Sequence, residues 1–303
     1  MAAYGVSAGL SLAVGGLPPG FDIQGHRGAR ALFPENTLAG FDAAVAMGAT
    51  SIELDVVLSA DGAPMVLHDL TLNPDIVRDR SGAWVNPNGP AVATLPAAVL
   101  ATYDVGRLRP GSRTAARFPR QAIIDGAGIP TLADVLARYG NGVVGLDVEL
   151  KCEASPADKG QTEDNPALAT LVGAVVAMVA ACQDVRITLR SFNWAALRRV
   201  RAMAPAMKLA WLTGAGARPE AVLAEIARLG WPAWQPVWAP DHRTLLRRQV
   251  RRAKAAGLLV KPWTVNAPAR MQRLVSWGVD GLCTDRPDLA VAVCDGRGRH
   301  RNI

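Results

Sequence analysis

Residues 258–293 read LLVKPWTVNAPARMQRLVSWGVDGLCTDRPDLAVAV. Two short apolar runs, 258–264 and 279–283, alternate with two helical runs, 267–277 and 286–293. Met271, Leu274 and Val275 share one helical face. Asn266 stands where a side chain caps the first turn, and Gly278 stands where a helix ends. Short strands alternating with helices of this length point to parallel strands joined by helical crossovers.

The same alternation extends backwards. A helix over 131–139 leads to a strand over 143–150, a helix over 166–182 to a strand over 185–190, and a helix over 193–203 to a strand over 207–212. A helix over 218–228, a weak strand near 233–237 and a helix over 242–256 complete the run. Towards the amino terminus, 21–25 reads as a strand. Residues 36–47 read as a helix with Leu38, Phe41 and Val45 at helical spacing, Asn36 or Thr37 as its cap and Gly48 as its end. Strands over 51–58 and 64–68 flank Asp61-Gly62, a turn signal, as in a hairpin. Roughly eight strands, each followed by a helix, predict an α/β fold, the (β/α)8 TIM barrel, with a small insertion after the second strand. A doubly wound open sheet competes, but no G-x-G-x-x-G follows the first strand. The insertion is 70–129, rich in Pro, Gly, Asn and Arg and without a long periodic segment. The barrel is expected over 22–293, between a lead-in over 1–21 and a basic tail over 294–303.

Composition agrees with a soluble globular protein with a sizeable core: 303 residues, 50% hydrophobic and 19% charged. The net charge of +7 favours anionic partners without singling out nucleic acid. Much of it lies in Arg243, Arg247, Arg248, Arg251, Arg252 and Lys254 and in the tail, and reads as a solvated face. The four cysteines form no C-x-x-C pair, which argues against a cysteine-bound zinc and leaves one disulfide open. Residues 6–17 resemble the apolar part of a signal peptide without its basic start. Both a cytoplasmic and a periplasmic or secreted location therefore stay open. Residues 167–181 are too short to span a bilayer comfortably and read as a buried helix, so no stable membrane insertion is expected.

Side chains two apart on a strand point to one side. Glu53 and Asp55 therefore project together, as do Asp147, Glu149 and Lys151. His26 and His68 stand at strand ends, and the carboxyl ends of barrel strands are where barrel active sites sit. Converging carboxylates need either a divalent cation, for which oxygen ligands favour a hard ion such as Mg²⁺ or Ca²⁺, or ion pairs with Arg and Lys. His242, at the start of a basic helix, and His300, in the tail, are expected to be exposed and idle. That leaves His26 and His68 as proton carriers near neutral pH.

Gln24-Gly25-His26-Arg27-Gly28, Pro34-Glu35-Asn36-Thr37, Glu53-Leu54-Asp55-Val56 and Leu67-His68-Asp69 resemble the glycerophosphodiester phosphodiesterase family. Glu149-Leu150-Lys151, Ser191-Phe192, Trp263-Thr264-Val265-Asn266 and the run from Gly278 to Pro287 continue the likeness in order, over about residues 22 to 290. The resemblance implies a barrel with an insertion after the second strand. It also implies one divalent cation on Glu53, Asp55 and Glu149, with His26 and His68 as general acid and base. Arg27 and Lys151 would lie on the phosphate, and Trp263 on the glycerol side. The implied substrate is a small glycerophosphodiester, such as glycerophosphocholine or glycerophosphoethanolamine, cleaved to glycerol 3-phosphate and an alcohol. No nucleic-acid partner is implied. Two other readings remain: a lysophospholipid-cleaving phosphodiesterase, which needs an apolar patch on the 70–129 lobe, and a basic non-enzymatic anion-binding module. Arg190 stands where similar sequences often carry Gln; facing the pocket, it would favour anionic head groups.

Overall fold

The computed structural model describes residues 20–152, 165–182 and 185–295. Nearly all of the lead-in and of the tail, His300 included, lies outside the described residues. The chain runs β1 (Asp22–His26), α1 (Leu38–Ala46), β2 (Ser51–Leu58), β3 (Pro64–Val66), a 3-10 turn (Val92–Thr94), α2 (Ala97–Leu100), α3 (Arg113–Arg117), α4 (Leu132–Tyr139), β4 (Gly145–Leu150) and α5 (Pro166–Ala180). It continues β5 (Ile187–Ser191), α6 (Trp194–Met203), β6 (Lys208–Thr213), α7 (Pro219–Leu229), β7 (Val237–Pro240), α8 (Arg247–Ala255), β8 (Leu259–Val260), α9 (Pro268–Ser276), β9 (Gly281–Thr284) and α10 (Pro287–Cys294).

Eight parallel strands lie in the order β8-β7-β6-β5-β4-β2-β1-β9, with β3 antiparallel on β2. Backbone bonds from Asp280 N to Val260 O (2.8 Å) and from Cys283 N to Pro262 O (3.0 Å) bring the two edges together. The result is a (β/α)8 barrel. Helices α1 and α4 to α10 cover its outside. The apolar α5 buries Leu168, Leu171, Val172, Val175, Val176 and Val179, and no described helix is long and apolar enough to cross a membrane. Between β3 and α4 the chain forms only short helices, around an apolar cluster of its own that includes Leu72, Val77, Val92 and Leu100. All four cysteines are free thiols.

Most boundaries fall within two residues of the sequence expectation, and three elements differ by more, each for a local reason. The strand expected near 233–237 begins at Val237, after Pro232 and Pro236, which lack the donor a strand interior needs. The strand expected over 258–264 keeps regular pairing only at Leu259–Val260, because Pro262 interrupts the ladder. The helix expected over 242–256 begins at Arg247. Asp241 accepts a bond from Arg243 N (2.8 Å) and holds the chain in a turn first. His242 is therefore not at the head of a basic helix. It is half-buried, its amide donates to Trp263 O (3.0 Å), and burial followed by the Arg270 charge lowers its pKa. Much of the basic surface is paired: Arg243 with Asp241, Arg252 with Glu220 and Lys254 with Asp280.

At the amino ends of the strands a buried polar cluster fastens the barrel. Asp22 on β1 accepts from Lys261 Nζ (2.7 Å), Thr50 Oγ1 (2.7 Å), Ser51 Oγ (2.7 Å) and Gln24 Nε2 (3.0 Å). Burial pushes the Asp22 carboxyl up, but Lys261 and the hydroxyl donors overcome it and hold the group at about 2. A folded pKa below the unfolded one means stability that is present above the ordinary value of 3.8 and is lost as pH falls towards 2. Asp22→Asn leaves Lys261 buried beside a neutral partner, and unfolding in urea should show a loss of about 3 kcal/mol near neutral pH. A midpoint unchanged from that of the unaltered protein would remove this cluster from the account of stability.

Candidate active site at the carboxyl ends of the strands

The site begins with the turn after β1. Arg27 has φ 52° and Gly28 φ 89°, and a Cβ on Gly28 would lie 2.7 Å from the backbone of Gly40. Glycine at 28 thus lets the turn close against α1 while His26 and Arg27 remain over the barrel mouth. Arg27 N donates to Glu53 Oε2 (3.0 Å) and Arg27 Nη1 to Glu35 Oε1 (2.7 Å). Arg27 Nε lies 3.1 Å from Asp55 Oδ2, an ion pair without hydrogen-bond alignment. Asn36, also at positive φ (54°), gives its Nδ2 to Asp55 Oδ2 (3.0 Å), so it grips a carboxylate, while Thr37 caps α1. Two non-glycine residues held in this region mark a backbone shaped by the site.

Parallel register sets Glu53 beside Asp147 and Asp55 beside Glu149. Glu53, Asp55 and Glu149 are buried, and one oxygen from each lies within 4.8 Å of the others. Lys151 Nζ reaches Glu149 Oε1 (2.6 Å) and Asp55 Oδ1 (3.2 Å). Burial, then the neighbouring Asp55, pushes the Glu53 carboxyl up, while Lys151 and Arg27 outweigh burial and hold Asp55 well below the usual carboxylate range. Three carboxylates this close do not all stay charged without added positive charge. The all-oxygen donor set and its convergence fit a hard divalent cation.

Both histidines are backed by carboxylates. His26 Nδ1 donates to Asp285 Oδ1 (2.6 Å), leaving the Nε2 lone pair 4.0 Å from Glu53 Oε2; the tautomer follows from the partner. Burial, with help from Arg27 and Arg30 and against the pull of Asp285, lowers the His26 pKa to about 4. His68 Nδ1 pairs with Asp69 Oδ1 (2.7 Å), and Asn73 Nδ2 holds the other oxygen of Asp69 (2.7 Å). The two rings differ in access: the His26 side chain is 13% exposed and that of His68 32%.

A cavity of about 210 Å³ opens between them, bordered by His26, Arg27, Glu53, His68, Glu149, Lys151 and Trp263. Asp55 lies behind it, in the carboxylate cluster. Trp263 is fixed by Nε1 to Ala239 O (2.9 Å) and by an edge-to-face contact with Phe192 (5.2 Å). All eight residues singled out in the sequence therefore meet at one end of the barrel. A larger cavity of about 710 Å³ lies at the opposite end, around Asp22, Asp147 and Lys261, away from both histidines. Arg190 is 2% exposed, and its Nη1 donates to Gln24 Oε1 (3.2 Å). It forms the floor under the carboxylates, and its charge works to lower the Glu53 pKa. Asp285 N bonds Asn266 Oδ1 (2.9 Å) in the last strand–helix turn, and the Asp285 side chain holds His26. Arg30 and Arg117, which no motif in the sequence marks, also border the cavity.

Paired histidines over a carboxylate cluster, ringed by fixed cations, define a barrel hydrolase equipped for an anionic ester. The model of the glycerophosphoryl diester phosphodiesterase family matches residues 26–289, and the chain belongs to that family of enzymes. It is similar to a glycerophosphodiester phosphodiesterase of Bacillus subtilis (strain 168), 29% identical over 270 residues, 87% of this chain and 83% of that one. A provisionally assigned glycerophosphoryl diester phosphodiesterase from Silicibacter pomeroyi has a crystal structure that superposes with TM-score 0.82 at 34% identity, covering 94% of this chain and 96% of that one. An Oleispira antarctica phosphodiesterase, solved with the product sn-glycerol-3-phosphate, gives TM-score 0.69 at 26% identity over 92% of this chain and 97% of that one.

Proposed function

We propose that this enzyme hydrolyses small glycerophosphodiesters, such as glycerophosphocholine or glycerophosphoethanolamine, to glycerol 3-phosphate and the free alcohol. In this reading His26 and His68 carry the protons, and a divalent cation, Mg²⁺ or Ca²⁺, sits on Glu53, Asp55 and Glu149. The observation that carries the reading is the pair of carboxylate-backed histidines on either side of the buried carboxylate triad. Bound there, the cation would draw negative charge off the phosphate oxygens as the ester is attacked.

The chain's own groups supply the rest. His26 is neutral at pH 7, with its proton on Nδ1 facing Asp285, so Nε2 is free to take a proton from the nucleophile, either water itself or a neighbouring glycerol hydroxyl whose cyclic phosphate product water then opens. Asp285 stabilises the imidazolium that results, in the way a buried carboxylate supports a catalytic histidine elsewhere. His68, the more open ring, protonates the departing alcohol, and Asp69 orients it. Arg27 and Lys151 hold fixed positive charge beside the reacting phosphate, where little water remains to screen it. Trp263 and Phe192 give the cavity one apolar wall, suited to the carbon face of glycerol.

Release of glycerol 3-phosphate from glycerophosphocholine and glycerophosphoethanolamine, with Mg²⁺ or Ca²⁺ supplied, tests the reading. Turnover of neither compound would sink it. One observation favours a second substrate class. Beside Lys151 lies an apolar cavity of about 230 Å³, lined by Val57, Leu58, Leu70, Val92, Leu168 and Leu171, which would take an acyl chain. Cleavage of lysophosphatidylcholine in preference to glycerophosphocholine would move the assignment there.

A further inference from the structure

Among the described residues, five cations border the mouth: Arg27, Arg30, Arg117, Lys151 and Arg190. Four are committed. Arg27 and Arg30 pair with Glu35, Lys151 with Glu149 and Asp55, and Arg190 is buried on Gln24. Arg117 differs. Its side chain is 61% exposed, and its contact with Asp285 is long, at 4.0 Å. The Asp285 carboxylate is already taken by His26 Nδ1 (2.6 Å) and Asn266 Nδ2 (2.6 Å). The Arg117 guanidinium therefore stands at the mouth, one carboxylate away from His26, with donors to spare.

Its position is built. Arg117 comes from α3, in the segment between β3 and α4, and that segment is docked on the loop after β1. Gln121 Nε2 donates to Arg30 O (2.8 Å), and Ala122 N to Leu32 O (2.8 Å). Phe118 lies against both guanidinium groups, 4.9 Å from that of Arg30 and 5.0 Å from that of Arg117. An aromatic face at this range steadies an arginine without using its hydrogen-bond donors.

We propose that Arg117 is a specificity-determining residue that binds a carboxylate on the alcohol portion of the substrate. The inference rests on the glycerophosphodiesterase reading and deepens it. The reacting phosphate already has Arg27 and Lys151, so a further exposed guanidinium answers a second anionic group. A planar fork suits a carboxylate, which it binds through two parallel bonds. The preference for anionic head groups that Arg190 suggested in the sequence passes to Arg117, because Arg190 lies at the floor of the cavity, 2% exposed and bonded to Gln24.

Glycerophosphoserine and glycerophosphoethanolamine differ by one carboxylate and make the test. The unaltered enzyme should show kcat/KM about fivefold higher for the serine compound, the scale of one partly exposed charged hydrogen bond. Arg117→Gln should bring the ratio of the two constants to near one, Arg117→Lys should keep part of the preference, and added salt should shrink it. A ratio near one in the unaltered enzyme, or an equal loss on both substrates in Arg117→Gln, would overturn the assignment. Failure of the unaltered enzyme on both compounds and on glycerophosphocholine would sink the phosphodiesterase reading itself, and this one with it.

Discussion

His26→Ala should lower kcat by about three orders of magnitude, the usual worth of a positioned general base, while far-UV circular dichroism stays unchanged. The hydrogen bond of the ring goes to Asp285 at the barrel mouth, and His26 is not part of the apolar core, so its removal should spare the fold. Burial is the main cause of its lowered pKa, with Arg27 and Arg30 adding to it and Asp285 opposing it, and the result is about 4. The sign then fixes the pH profile. A base works unprotonated, so its active form persists down to about pH 4, well under the ordinary histidine value of 6.5. The acid limb of kcat/KM should therefore fall below pH 6. The same shift acts on stability. With the folded value under the unfolded one, the stability is complete above 6.5 and is lost as pH falls from there towards 4. Asp285→Asn removes the group that pulls the His26 value up, so the limb should move further to acid as kcat drops. A His26→Ala enzyme within tenfold of the unaltered one would reject this role, and an acid limb at 6.5 that vanishes with His26 would keep the role but reject the lowered pKa.

The sequence carried the parity of the site but not its pairing. Alternation along β2 and β4 placed Glu53 with Asp55 and Glu149 with Lys151, because side-chain direction on a strand is a local property. Which carboxylates meet depends on the stagger of the barrel, and the register of Asp55 with Glu149 appears only once the strands close. His26 and Asp285 are 259 residues apart, and nothing near either one announces the other. Asn36 read as a cap because polar residues before a helix usually are. Its positive φ turns the side chain away from α1 and towards Asp55, a backbone property that residue type alone does not fix. The segment between β3 and α4 yielded no periodic signal, since helices of four and five residues are too short to show one. Its contribution to the mouth, Arg117, therefore stayed hidden, while Arg190, conspicuous beside Ser191, proved to be floor.

Removing divalent metal should abolish turnover without unfolding the protein, and the two halves of that expectation have different causes. The triad needs positive charge: Glu53 is pushed up by burial and by Asp55, which is the mark of carboxylates crowded beyond what they bear alone. The fold nevertheless supplies a provisional answer. Lys151 sits between Glu149 and Asp55, Arg27 touches Asp55, and Arg190 lies beneath. Chelation with EDTA should thus leave the urea midpoint nearly unchanged while kcat falls by about a thousandfold or more, and Mg²⁺ or Ca²⁺ should restore it. Glu149→Gln should weaken metal binding, measured by calorimetry, by at least about a hundredfold. The raised Glu53 adds a signature. A proton held there leaves when the ion enters, so affinity should increase with pH, and binding heats should depend on the ionisation enthalpy of the buffer. Lys151→Met separates the two duties of that lysine. Losing a competing charge should tighten the metal, and losing a phosphate contact should raise KM, so the two constants move in opposite senses. Full activity after exhaustive chelation would refute the metal role, and a Lys151→Met enzyme that binds metal more weakly would refute the competition.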